Sequence, residues 1–244
     1  MRLWTMIAIL PLLATTAACQ STWEKEGASI SPNGPGATRT YAATGFTGVD
    51  LRGSDDADVK IGSAFSVTAE GDPKVLDQLE IQVVDGSLRI KRKDNNGTWF
   101  NDHDKGAKIH IVMPRLTSAD VAGSGNLTVE RAEGDVSGDV SGSGNLEIAD
   151  LKGGLTKLAI AGSGNIVIKG TTEKLAASIA GSGDIEAKGL TANSAEVSIA
   201  GSGNMEGVVK GGAAVNIVGS GDVELTGGAK CAINALGSGE ARCS

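Results

Sequence analysis

The sequence predicts an all-β fold, a parallel β-helix-like solenoid whose coils of ~19 residues turn at G-S-G-N/D arcs. Three observations carry this expectation. The triplet G-S-G begins at Gly123, Gly142, Gly162, Gly181, Gly201, Gly219 and Gly237, at spacings of 18 to 20 residues. Apolar and polar residues alternate on both sides of each triplet. A second glycine corner closes most repeats, as in "KGG" at 152–154 and 210–212 and "KG" at 169–170 and 188–189.

The alternation defines the strands. Two and four residues before a triplet stand pairs such as Val121 and Ala119, Ile160 and Leu158, Ile179 and Ala177, and Ile199 and Val197. Two and four residues after it stand Leu127 and Val129, Leu146 and Ile148, Ile166 and Ile168, and Val223 and Leu225. Period 2 is the mark of a half-buried strand. A helix is excluded because the 3.6 period is absent and every segment holds glycine. One coil cannot bury its apolar face alone, but stacked coils can. Neighbouring coils pair in parallel at about 4.8 Å per step, so seven coils rise on the order of 34 Å.

Each arc must reverse the chain within a few residues. Glycine permits the positive φ this demands. The next residue is Asn126, Asn145, Asn165, Asp184, Asn204, Asp222 and then Glu240. Asn and Asp suit such turns because their side chains bond to nearby backbone. Stacked in register, the Asn members form a hydrogen-bonded ladder. The expected role of this series is structural.

The regular repeats occupy 115–244, and 45–114 is a degenerate version. In "VDLRGSDDADVKI" (49–61), Val49 and Leu51 precede Gly53, while Val59 and Ile61 follow an arc with two extra residues. "FSVTAEGD" (65–72) reads as a strand. Residues 73–79 form a short segment, followed by two strands across Asp85-Gly86, a hairpin signal. A polar loop, "DNNGTWFNDHDKG" (94–106), then leads to the strand "AKIHIVMP" (107–114). Function often sits where a repeat is interrupted, as it is over 73–106.

The first residues have the order of a secretory signal, 1–18. Arg2 is followed by an apolar core and by small residues ahead of Cys19. That arrangement suggests a bacterial lipobox with Cys19 as the acylated residue, although Thr16 stands where an aliphatic residue is usual. Ordinary signal cleavage nearby is the alternative. Several acyl chains together would hold the protein on a membrane. Gln20, rather than aspartate, points to the outer membrane, facing the periplasm or the outside. Residues 19–44 lack apolar periodicity and read as the lipidated cysteine and a flexible tether.

Composition excludes several functions. The net charge is −7, and about −8 once Arg2 leaves with the signal, which argues against nucleic-acid partners. Aromatic residues are only 3% of the chain, so the core must be aliphatic and a long sugar-stacking groove is disfavoured. No phosphate-binding loop, nucleophile elbow or spaced Ser/His/Asp set is present. His103, between Asp102 and Asp104, reads as a solvated loop residue rather than a metal ligand, and His110 falls at an outward position. No metal or cofactor is expected. The G-S-G-D copies lack the nine-residue period and the repeated carboxylates of calcium-binding repeats. Trp99 and Phe100 are a pair of large apolar residues in a polar loop, either a contact surface or a cap on the lower end of the solenoid. Cys231 and Cys243 stand at inward positions on either side of the last arc. In an oxidising envelope they are expected to form a disulfide that clasps the last coil.

With these residues in view, "FTGVDLRGSDDADVKIGSAFSVTAEGD", "LDQLEIQVVDGSLRIKRK" and the repeated "GSGNL" resemble the head GIN domain family over roughly 45–244. That family is described as autotransporter adhesin heads and as a domain of unknown function. The resemblance implies a β-solenoid of the bacterial envelope, often a lipoprotein, and brings no catalytic residues. The expected function is a non-enzymatic surface-interaction or adhesin module. It would be anchored by lipid to the membrane and would meet an envelope or extracellular glycan or protein. The alternatives are a periplasmic scaffold that self-assembles end to end and a polysaccharide-processing β-helix enzyme.

Overall fold

A computed structural model describes residues 27–34, 36–93 and 106–244. The signal, Cys19, the first part of the tether, Trp99, Phe100 and His103 lie outside the described residues. The base contains β1 (Pro32–Asn33), β2 (Thr38–Tyr41), β3 (Gly48–Gly53), β4 (Asp56–Ile61), β5 (Ser66–Glu70), the single helical turn α1 (Pro73–Leu76), β6 (Leu79–Val84), β7 (Ser87–Arg92) and β8 (Lys108–Met113). Above it run β9 (Ser118–Gly123), β10 (Asn126–Val129), β11 (Ala132–Glu133), β12 (Val136–Gly142), β13 (Asn145–Gly162), β14 (Asn165–Gly181) and β15 (Ile185–Gly201). The last coils hold β16 (Met205–Val209), β17 (Gly212–Gly219), β18 (Val223–Thr226), β19 (Lys230–Gly237) and β20 (Ala241–Cys243).

The coils form three parallel walls. The leading wall enters the arcs and stacks β7, β3, β9 and β12, then the ends of β13, β14 and β15, then β17 and β19. The trailing wall leaves the arcs and stacks β8, β4, β10, the starts of β13 to β16, β18 and β20. A short third wall joins β11, the middles of β13, β14 and β15, and the end of β16. The β-solenoid of ~19-residue coils is therefore present.

Register follows from the core. Leu51, Val121, Val140, Ile160, Ile179, Ile199 and Ile217 are aligned partners along the leading wall and all are buried. Leu127, Leu146, Ile166, Ile185, Met205 and Val223 form the matching column on the trailing wall. Each such side chain stabilises the fold by ~1.5–3 kcal/mol relative to exposure. A register slip of one residue would turn a whole column outward.

The arcs need glycine for two reasons. Gly162 has φ +137°, and a Cβ there would run into the carbonyl oxygen of Gly142 one layer below. That carbonyl position is occupied because it holds the layers together. The Gly123 oxygen, for example, accepts from Ser143 N and Gly144 N, both at 2.9 Å.

Two expectations need correction. The first arc carries no insertion. Gly53 aligns with Gly123, and Ala57 with Leu127, so Ala57 takes the first inward place and Val59 the second. Asp55 and Asp56 thus replace Gly125 and Asn126, and the apparent extra residues vanish. The tether does not run to residue 44. β2 pairs antiparallel with β5, and Arg39, Tyr41 and Ala43 are buried, because Tyr41 and Ala43 add apolar area to the base. In the last coil, Ile233 stands at an inward register but remains 48% exposed, because no described coil covers it.

The base is interlaced. β7 and β8 form the lowest layer, joined through residues 93–107, yet the β3–β4 coil lies between that layer and β9–β10. The hairpin expected at Asp85-Gly86 is present, with positive φ at both residues. Its first strand, β6, edges the leading wall and is bridged at Gln82 by Ser29. On the other side β5, β2 and β1 extend the trailing wall in antiparallel pairs.

Candidate functional site

The parallel register converts sequence period into columns of identical chemistry on the outside of the trailing wall. The column beside the arcs begins at Asp56. Asn126 Nδ2 donates to Asp56 Oδ1 at 2.8 Å, Asn145 Nδ2 to Asn126 Oδ1 at 2.8 Å, and Asn165 Nδ2 to Asn145 Oδ1 at 3.2 Å. Higher up, backbone amides take over part of the donation. Asp184 N donates to Asn165 Oδ1, Asn204 N to Asp184 Oδ1, Asp222 N to Asn204 Oδ1 and Glu240 N to Asp222 Oδ1, at 2.8–3.1 Å. One side-chain oxygen of each residue from Asp56 to Asp222 is committed to this stack.

Two residues farther along the wall lies a second column. Glu147 aligns with Val167, then come Glu186, Glu206, Glu224 and Arg242 in successive layers. Three glutamates therefore follow one another at about 4.8 Å, a spacing at which like charges repel. Cations relieve part of this. Lys188 Nζ lies 2.6 Å from Glu206 Oε2, and Arg242 Nη2 donates to Glu240 Oε2 at 2.7 Å. The Glu206 hydrogen bond and charge raise the Lys188 pKa, and Glu240 does the same for Arg242.

Between these columns runs an open groove of ≈ 440 Å³ that ends at Arg242. Six carboxylates line it, those of Asp184, Glu186, Glu206, Asp222, Glu224 and Glu240. Such a groove attracts cationic groups and repels anions. Among the described residues no group of three or more His, Cys, Asp or Glu side chains is arranged to hold a metal ion.

The other sequence-predicted residues fall elsewhere. His110 is on the outer face of β8, with Nδ1 2.5 Å from Asp58 Oδ1. Cys231 and Cys243 form a disulfide with Cα atoms 6.4 Å apart, joining the two walls of the last coil. Neither is near the groove's glutamate column in role, although the disulfide anchors β20, which carries Arg242.

Three features escape a reading of the repeats. Asp55 is 1% exposed; its Oδ1 accepts from Arg92 Nη2 at 2.6 Å and Ala107 N at 2.7 Å. It therefore ties together the two ends of the segment 93–107. The second feature is the glutamate column. Its signal was visible, since Glu occupies the third place after the triplet at 147, 186, 206 and 224. The third is a carboxylate column on the leading wall, where Asp50, Asp120 and Asp139 are aligned. Arg52 and Arg89 donate to Asp50. Burial first, then the charges of Asp139 and Asp50, push the Asp120 carboxyl up to about 7, and it shares a hydrogen bond with Asp139.

Comparison with known proteins agrees with this architecture. A putative adhesin from Bacteroides fragilis has a TM-score of 0.77 at 22% identity, with 85% of this chain and 96% of that chain covered. A putative lipid-binding protein from Parabacteroides distasonis has a TM-score of 0.67 at 24% identity, covering 85% and 96%. A putative adhesin from Parabacteroides merdae has a TM-score of 0.64 at 18% identity, covering 85% and 95%. At these identities the likeness is one of fold. No curated protein matches the sequence. Residues 45–229 match a family model, and on that ground the chain belongs to the family described as putative auto-transporter adhesin, head GIN domain.

Proposed function

We propose that this chain is a non-enzymatic surface-interaction module of the bacterial cell envelope, held to the outer membrane by lipid on Cys19. The observation that carries this reading is the outer face of the trailing wall. It is a regular, in-register surface with a carboxylate-lined groove, backed by a core already filled with aliphatic side chains. The family's adhesin description supports a binding role. The groove favours a cationic ligand, such as a basic protein segment or an amine-bearing glycan, and disfavours nucleic acid. Because the recognition is electrostatic and exposed, it weakens as salt rises.

Two experiments test this reading. Protease shaving of intact cells is expected to remove the protein while a periplasmic control survives; protection until the outer membrane is opened contradicts surface exposure. For the groove, the variant Glu186→Gln/Glu206→Gln/Glu224→Gln is expected to lose at least about tenfold in affinity for polylysine at low salt. Unchanged binding removes the groove from the contact.

A further inference from the structure

The exposed large hydrophobics among the described residues are Val218, Ile233 and Leu236, all in the last two coils. Val218 and Leu236 are aligned neighbours on the outside of the leading wall, while Ile233 faces the core and is left uncovered above. Cys231, Ala241 and Cys243 beside it are only partly buried. The same coil carries two strand edges, β19 and β20, that pair on one side only among the described residues.

The direction of the backbone groups on these edges is readable. Lys230 N donates to Gly211 O and Ser238 N to Gly219 O, so the even-numbered amides of β19 face β17. The amides and carbonyls of Cys231, Ile233 and Ala235 therefore face the open side. On β20, Ser244 N donates to Leu225 O, which leaves the groups of Ala241 and Cys243 facing the same way. Unpaired strand edges of this kind are templates for another strand.

We infer that this end is the interface between two copies of the chain, joined tail to tail about a two-fold axis through Ala235 and Ala241. These residues are symmetric about the arc, two before Gly237 and two after Gly239. The disulfide shows that the two walls face each other across the core here, so one axis crosses both. Antiparallel β19 strands then exchange hydrogen bonds at Ala235, and β20 strands do so at Ala241. Both residues direct their N–H and C=O to the open side, as an antiparallel hydrogen-bonded pair requires.

The charges fit the same register. Centring on Ala241 sets Glu240 of one copy against Arg242 of the other, at the close, non-hydrogen-bonded position. Both side chains are exposed and of opposite sign, so the edge is complementary to itself. Ile233 of each copy moves into a continuous core. A head-to-tail stack fits less well. Among the described residues the base ends in the antiparallel strands β6 and β1, and Ser29 bridges β6.

The test is sedimentation equilibrium of the full 244-residue chain from about 10 to about 200 µM. A monomer–dimer equilibrium is expected. Ala235→Pro removes an amide that faces the open side and leaves the amides that bond to β17 in place; with the fold checked by circular dichroism, dimerisation is expected to weaken at least about tenfold. Arg242→Glu changes an exposed side chain; with the fold of the last coil checked by circular dichroism, it is expected to weaken the dimer, and adding Glu240→Arg is expected to restore it. A wild-type monomer at about 200 µM overturns the inference. So does a dimer that Ala235→Pro and Arg242→Glu leave unchanged.

Discussion

The two ends of this solenoid solve the same problem differently. A stacked coil always has one neighbour too few at each end. At the base, antiparallel strands β6, β5, β2 and β1 and the helical turn α1 are added, and Val75, Leu76, Ile81 and Phe46 are buried there or beside it. Asp55 and Arg92 tie the lowest layer to the next. At the last coil no further described strand covers β19 or β20. Ala235 and Ala241 replace the larger aliphatics of the inner layers, and a disulfide joins the walls. The comparison teaches that the repeat is stable in its interior through packing, while each end needs its own device: irregular strands in one case, a covalent clasp in the other.

The sharpest way to break this picture is to place the same substitution in both settings. Gly53 and Gly162 open equivalent arcs with positive φ, but a Cβ at Gly53 meets nothing within 4 Å, whereas one at Gly162 meets backbone of the layer below. Gly162→Ala is expected to cost about 4 kcal/mol or to prevent folding, and Gly53→Ala only about 1–2 kcal/mol. Urea unfolding measures both; equal costs contradict the layer-contact argument.

Asp55→Ala is expected to cost about 3–5 kcal/mol, because it leaves the largely buried Arg92 guanidinium without its carboxylate. Ile160→Ala is expected to cost about 2–5 kcal/mol in the packed interior, against less than about 1 kcal/mol for Ile233→Ala in the isolated monomer. A larger loss at Ile233 in a dimeric sample marks the interface instead. Cys243→Ser opens a bridge between residues 12 apart and is expected to cost about 2–3 kcal/mol, felt as fraying of the last coil. Thermal melts and mass spectrometry after limited proteolysis distinguish fraying from global loss.

The smallest effect concerns acidity. Asp120 is raised from 3.8 to about 7, so its neutral form is favoured in the folded state. Its contribution is fully present below pH 4 and is lost as pH rises through about 7. Asp120→Asn is expected to remove that loss and stabilise the protein at pH 8 by on the order of 1 kcal/mol, discounted for partial solvent screening. A stability-versus-pH curve with the same slope in both proteins contradicts this.

Much of the interior was legible because its constraint is local and repeated. At either glycine of an interior triplet a Cβ would collide with the layer beneath, so the triplet recurs, and parity around it names the buried columns. The base was less legible because its partners are distant in sequence. Asp55 and Asp56 look like an insertion until Gly53 is seen to align with Gly123, seventy residues away. The place of β3 and β4 between β7–β8 and β9–β10 has no local signal at all. The start of the fold at β2 was hidden because Thr38–Tyr41 is short and its buried members include Arg39, whose Nη2 is satisfied by Pro73 O and Asp77 Oδ1. Of the candidate surface, the Asn/Asp ladder was readable from spacing, and the glutamate column was present in the same spacing but unread. The carboxylate column at Asp50, Asp120 and Asp139 was also present in the spacing, each residue standing three before the first glycine of its arc.

Residue-resolved hydrogen exchange across the whole chain tests the closed-base, open-tail account most directly. The account predicts strong protection for the amides of β3, β4 and the interior coils. In dilute protein it predicts fast exchange for Cys231, Ile233, Ala235, Ala241 and Cys243, whose amides face the open edge, with protection gained as concentration rises. Uniform protection of both ends in dilute protein, or a base that exchanges faster than the last coil, would contradict it.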